Sequence, residues 1–241
     1  TAKNIALSGH YEMSRAPGHP LQEIIYSLMW NAGPFAYNLL TAIASVIAVL
    51  FFALALRQLN FKHYLFASFA FAFTPVVFIS STYTIDYMLA MAFVMGSFYF
   101  LIQAVYLPLE GAGGGISTYR ERQFILSGIM LGLAIGFRIT SGAMLIPFCI
   151  LFFPLSKGGL RGIFILGITT AAIGVLTYSP VIKTYGFSFF TFSDQFPYPN
   201  LPKVLYKITF GVFGTIGIIA LVFYKIKFLL TKSSLRASLI T

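Results

Sequence analysis

Charge is what this chain has least of. Asp, Glu, Lys and Arg supply 9% of its 241 residues, where a soluble domain carries about 25%. That scarcity leaves no room for a sizeable soluble module. With 58% apolar residues and a mean hydropathy of +0.86, the chain reads as an all-α integral membrane protein of one domain. Cysteine occurs once, at Cys149 in an apolar run, which excludes disulfides within the chain and argues against a cysteine metal site. Solenoid-like repeats are missing. The one low-complexity patch, Gly111-Ala112-Gly113-Gly114-Gly115, lacks the Lys-Ser/Thr ending and flanking strand of a phosphate loop and reads as a flexible connector. An initiating Met and a signal-peptide pattern are missing too, so the sequence is read as a piece of a longer protein, truncated at its N-terminus and open to truncation at its C-terminus.

What is there, in quantity, is apolar runs. The uncharged run 36–56 is long enough to cross a hydrocarbon core about 30 Å thick. Further spans are expected at 64–81, 86–107, 163–178 and 205–223. The run 124–153 is too long for one upright helix and is interrupted around Arg138. Two short helices forming a hairpin with Arg138 at the tip explain it, and so does one tilted helix with Arg138 snorkelling. Charge counting favours the hairpin. With it, Arg57, Lys62, Arg120, Arg122, Lys157, Arg161, Lys225, Lys227, Lys232 and Arg236 all fall on one side, which the positive-inside rule makes cytoplasmic. The same rule accounts for the formal charge of +10 without nucleic acid. Residues 1–35 then form an outer segment, 36–230 a transmembrane bundle and 231–241 a cytoplasmic tail. The outer side collects Glu12, Glu23, Asp86 and Asp194, four of the six acids. Acids contribute little to topology, so their gathering is a functional signal.

The candidate site is drawn from that side. Asp86 stands between two apolar runs, and ionised groups at membrane edges are costly enough to need a role. Its structural alternative is an acid complementing the helix dipole. Ser14-Arg15-Ala16-Pro17-Gly18-His19-Pro20 cannot be helical throughout and forces a turn. A turn holding Arg15 and His19 suits a phosphate, which guanidinium binds bidentately; the alternative is a plain turn with Arg15 paired to Glu12. From Pro20, a preferred first helical residue, Leu21, Ile24, Ile25, Leu28 and Met29 share one face, while Gln22, Glu23, Tyr26 and Ser27 share the other. This predicts a short amphipathic helix lying in the interface. His10, Glu12, His19 and Glu23 match no zinc ligand spacing; an oxygen-rich Mg²⁺ or Mn²⁺ site involving Asp86 suits the residues better. Gly128, Gly132 and Gly136 are spaced for close helix packing, which would present Arg138 to the outer cavity. The aromatics of loop 180–204 read equally as an interfacial belt and as a platform for a lipid or sugar.

In these segments the chain resembles the C-type (GT-C) membrane glycosyltransferases, the broad group that includes protein O-mannosyltransferases and lipid A aminoarabinose transferases. The similarity rests on Ala2-Lys3-Asn4-Ile5-Ala6, Gly9-His10-Tyr11, the run Ser14 to Glu23 leading into a span, Tyr83-Thr84-Ile85-Asp86-Tyr87 opening a later one, and Gly132-Leu133-Ala134-Ile135-Gly136-Phe137-Arg138. It covers roughly the first 155 residues and fades after them. The resemblance implies a GT-C-like helical bundle with an amphipathic interfacial helix in its first outer loop. It implies inverting transfer of a sugar from a polyprenyl-phosphate donor to a hydroxyl on a lipid, glycan or protein acceptor, at the outer face of a bacterial inner membrane. A carboxylate deprotonates the acceptor in such enzymes, and their presumed base would fall just upstream of Thr1. Within the chain, Asp86, Glu23 and Glu12 are the candidate catalytic acids, with Asp86 also the candidate for a divalent cation. Tyr11, Arg15, His19 and Arg138 are the candidates for the substrate and its phosphate. The rival class is a multi-pass transporter or lipid flippase. Transporters place ionisable groups near the midplane and show internal repeats; only Arg138 on a broken hairpin suits that class.

Overall fold

Apolar runs become helices in lipid because no water is there to satisfy backbone N–H and C=O groups. The computed structural model describes residues 1–84, 86–106, 115–152 and 159–186. Among the described residues the regular elements are all helical: α1 (Ala2–Ser8), α2 (Pro20–Leu28), α3 (Gly33–Gln58), α4 (Tyr64–Ala72), α5 (Pro75–Ser81), α6 (Asp86–Tyr106), α7 (Gly115–Phe137), α8 (Leu145–Phe152) and α9 (Gly159–Tyr185), with 3₁₀ turns at Trp30–Ala32 and Ile139–Met144. Among the described residues three helices are each long and apolar enough to cross a membrane, Trp30–Gln58, Asp86–Tyr106 and Leu160–Tyr185. The chain is thus an all-α membrane protein. The expected span 205–223, the basic tail, Asp194 and the aromatics of 187–204 lie outside the described residues.

Helices α3, α6, α7 and α9 pack side by side in that order. Leu101 and Ile102 of α6, Leu131 of α7 and Leu166 of α9 are fully buried at their contacts. A buried hydrogen bond of 2.9 Å between Ser97 and Ser127 ties α6 to α7. The α7–α9 seam depends on glycine. A Cβ at Gly132 would sit 2.5 Å from that of Ile173, and one at Gly128 or Gly136 would sit 2.7 Å from the Cβ of Thr169 or Thr177. The seam is a close small-xxx-small approach of two backbones.

Two expected spans take other forms. The run 64–81 is not one helix: α4 and α5 meet at a 61° bend. Pro75 supplies the reason, since it has no N–H to donate and forces the preceding residue out of the α region; Thr74 is extended at φ −56°, ψ 128°. In 124–153 the helix starts earlier, at Gly115. Arg120, Glu121 and Arg122, expected in a connecting loop, lie on α7, because Arg, Glu and Gln are good helix formers that a hydropathy window ignores. That helix ends at Phe137, Arg138 is extended, and a 3₁₀ turn leads into α8. Phe137 stacks on Phe93 at 5.3 Å and Phe148 on Phe98 at 6.0 Å. Phe98 lies further along α6 from Asp86 than Phe93 does, so α8 runs back beside α6 and the chain reverses at Arg138.

This topology makes the two ends of the bundle chemically different. The end holding α1, α2, the start of α6 and Arg138 carries the buried ionised groups. The other end carries Arg57, Arg120, Arg122 and a surface pair, Arg161 to Glu121 at 3.0 Å.

Candidate functional site

The site is assembled by a loop that a single carboxylate closes. Between α1 and α2 the chain turns at Gly18, whose φ of +88° and tight surroundings, with Tyr11 Oη 3.2 Å and Val181 Cγ2 3.3 Å from a Cβ position, leave room only for glycine. The Ala16–Pro17 peptide is cis, and the Tyr178 hydroxyl of α9 donates to the Gly18 carbonyl at 3.0 Å. Glu23, one turn into α2, is 5% exposed. Its Oε1 accepts from the Ser14 N–H at 2.8 Å and the Ser14 hydroxyl at 2.5 Å, and its Oε2 from the Tyr11 hydroxyl and the His19 N–H, the latter at 3.3 Å. Burial first, then the hydrogen bond and charge of Glu23, push the Tyr11 phenol well above its ordinary range. Tyr11 and Glu23, predicted as a ligand contact and a catalytic acid, are the residues whose bonds hold this loop shut.

Asp86 is the centre that the loop then surrounds. Its side chain is 3% exposed, yet each oxygen has a cationic partner: Arg15 Nη2 at 3.1 Å from Oδ1, and Arg138 Nη1 at 2.7 Å from Oδ2. A buried carboxylate is tolerated only when paired and hydrogen-bonded. The dipole at the start of α6 adds to this pairing rather than replacing it. His19 lies 3.7 Å from Oδ2. Its Nδ1 faces the Phe137 carbonyl at 2.8 Å and its Nε2 faces Arg15 Nε at 3.1 Å. Because a guanidinium N–H can only donate and a carbonyl can only accept, the ring carries its proton on Nδ1 and accepts at Nε2. His19 thereby orients Arg15. Arg138 is fixed by Thr140, 2.9 Å from its Nε, and by the Tyr87 ring, 3.9 Å from its Cζ. That cation–π contact and ion pair account for Arg138 without snorkelling. Each guanidinium uses two of its five donors in these bonds, and the rest remain for a ligand.

A cavity of about 390 Å³ opens beside this cluster, lined by Thr1, Ala2, Ser14, Arg15, His19, Gln22, Glu23, Tyr26, Thr84, Asp86 and Tyr87. Arg138 is not in its wall but touches two residues that are, Asp86 and Tyr87. Helix α2 meets the cavity with its polar face. Glu23, Tyr26 and Ser27 are buried while Leu28 is 80% exposed, so the polar face points into the protein. The sequence held a signal for this: an interfacial helix carries Lys or Arg on its polar side, and α2 has neither. Gln22, Tyr26 and Thr84 are the wall residues that sequence reasoning passed over.

Not every candidate joins. Glu12 is exposed, accepts from Asn4 Nδ2 at 2.8 Å and is absent from the cavity wall; Arg15 pairs with Asp86 rather than with it. Among the described residues no three His, Cys, Asp or Glu side chains stand close enough to hold a metal ion. A divalent cation at Asp86 would have to displace a guanidinium from one of its oxygens.

Fold and site together define a membrane protein in which two arginines meet a buried aspartate beside a cavity at one end of its helix bundle. No family model, curated protein or solved structure matches the chain.

Proposed function

We propose that the chain forms the donor-binding end of a GT-C-like membrane glycosyltransferase, which takes its sugar from a polyprenyl-phosphate carrier on the extracytoplasmic face. The observation that supports this is the Arg15–Asp86–Arg138 cluster: two guanidiniums held by one buried carboxylate, with donors to spare, at the edge of an apolar bundle. A lipid-borne donor must present its phosphate at that depth while its tail stays in the membrane. When the acceptor hydroxyl attacks the anomeric carbon, it gives its proton to a base supplied from outside this cluster, the bond from that carbon to the phosphate oxygen breaks, and the lipid phosphate leaves with added negative charge. Preorganised guanidiniums stabilise that charge where it develops. In this role Asp86 and His19 are positioning residues: they aim arginines and touch no reacting atom. The carboxylates of the cavity wall spend their oxygens on Arg15, Arg138, Tyr11, Ser14 and His19, so these residues bind and orient rather than take the acceptor's proton.

The test is sugar transfer by the full-length protein in proteoliposomes supplied with polyprenyl-phosphate sugars. Arg15→Ala and Asp86→Asn are expected to lower transfer by about a hundredfold or more, the scale of losing one transition-state donor, with unchanged membrane expression. Normal transfer by both variants would remove the assignment.

A further inference from the structure

The cavity wall contains two buried polar atoms without a partner, and a phosphate can satisfy only one of them. Gln22 Oε1 and Tyr26 Oη, one turn apart on the inward face of α2, are buried with no hydrogen-bond partner. Gln22 and Thr41 are the polar neighbours of the Tyr26 hydroxyl, but neither completes a bond of proper distance and angle. Burial raises the Tyr26 phenol above its ordinary range despite those neighbours, so it stays a neutral O–H. Buried polar groups are nearly always paired, and both of these belong to residues of the cavity wall. Gln22 is itself only half-buried, and its terminal amide torsion is soft, so the amide turns toward the cavity without moving α2.

We propose that Gln22 and Tyr26 form the sugar subsite of this cavity, recognising a neutral, hydroxyl-bearing ring whose anionic end lies on Arg15. The chemistry follows from donor and acceptor roles. An amide oxygen only accepts, so its partner must bring an O–H or N–H. A phosphate oxygen accepts as well and leaves Gln22 Oε1 unpaired. A cationic donor is disfavoured beside Arg15 and Arg138. A sugar hydroxyl meets both demands, donating to Gln22 and exchanging a hydrogen bond with Tyr26. Tyr87, 45% exposed at the wall, adds an aromatic surface against which a ring can pack. The cavity of about 390 Å³ is within the ordinary small-molecule range of about 300–1,000 Å³. This inference rests on the phosphate-binding reading of Arg15 and adds to it what the other end of the ligand must be.

The test measures binding of three probes to the full-length protein in nanodiscs: polyprenyl phosphate, polyprenyl-phosphate hexoses and pentoses, and a hexose 1-phosphate. The wild type is expected to prefer a sugar-bearing lipid over the bare lipid by about tenfold or more, the scale of one well-formed hydrogen bond. Tyr26→Phe and Gln22→Met each reduce that preference while leaving the bare lipid's affinity unchanged; Arg15→Ala weakens both lipids. Phe keeps the Tyr26 ring in its packing and Met keeps the length of Gln22, so one variant serves if the other fails to fold. An undiminished preference in both variants, or equal wild-type affinity for bare and sugar-bearing lipid, overturns the subsite while sparing the phosphate site. Absence of binding to either lipid overturns both. A hexose 1-phosphate bound as tightly as the lipid keeps the subsite and overturns the lipid donor.

Discussion

Breaking the Asp86 cluster should reveal which arginine it holds more strongly. The two contacts look alike in distance but differ in solvent. The Arg138 side chain is 28% exposed, approaches Asp86 to 2.7 Å and lies on the Tyr87 ring; that of Arg15 is 63% exposed and approaches to 3.1 Å. Removing one member of a fully buried pair costs about 3–5 kcal/mol, because a charge is left without a partner. Arg138 is partly reached by water, so about 2–3 kcal/mol is the appropriate coupling for Asp86–Arg138. Screening leaves the exposed Arg15 pair about 0.5 kcal/mol. Two double-mutant cycles measure both terms: Asp86→Asn with Arg138→Met, and Asp86→Asn with Arg15→Met, each followed by reversible unfolding in mixed micelles. Distance alone would predict two similar couplings. If the Arg15 cycle gives the larger energy, or if both are additive within about 0.5 kcal/mol, the view of Asp86 as a buried anchor for Arg138 is wrong.

Two further outcomes follow from the packing and the loop. Gly132→Ala should destabilise by about 1–3 kcal/mol through overpacking, since its Cβ would collide with Ile173. Gly167→Ala on α9, where nothing lies within 4 Å, should be neutral or slightly stabilising; equal effects in a thermal-unfolding comparison would contradict the seam. Tyr11 should make the protein sensitive to alkali. Its unfolded phenol ionises near 10.0 while the folded one resists ionisation, so the folded state binds the extra proton and stability falls as pH rises above about 10. Tyr11→Phe should flatten that decline in unfolding midpoints measured from pH 9 to 12, and an unchanged slope would show that Tyr11 does not contribute to it.

The apolar runs of α3, α6 and α9 could be seen in the sequence because crossing a bilayer imposes a length and a composition. Where the reading failed, a local rule outweighed composition. Pro75 breaks an apolar stretch that a window average treats as continuous. Arg120 to Gln123 extend α7 below its apolar part. At the site, Asp86, Arg15, His19 and Arg138 were each visible as residues too polar for their surroundings, and they do converge. Their bonds were not visible. That Glu23 closes the loop was not legible either, because such pairing between distant segments is tertiary information. Which face of α2 turns inward was not visible for a related reason: periodicity defines two faces of a helix but not which one meets water.

The glycine seam has a mechanical consequence. Arg138 sits at the end of α7 and Tyr178 grips the loop from α9, and these two helices touch backbone to backbone through Gly128, Gly132 and Gly136. The ion-pair partner of Asp86 and the hydroxyl that grips the loop are therefore carried by one tightly packed plate of two helices.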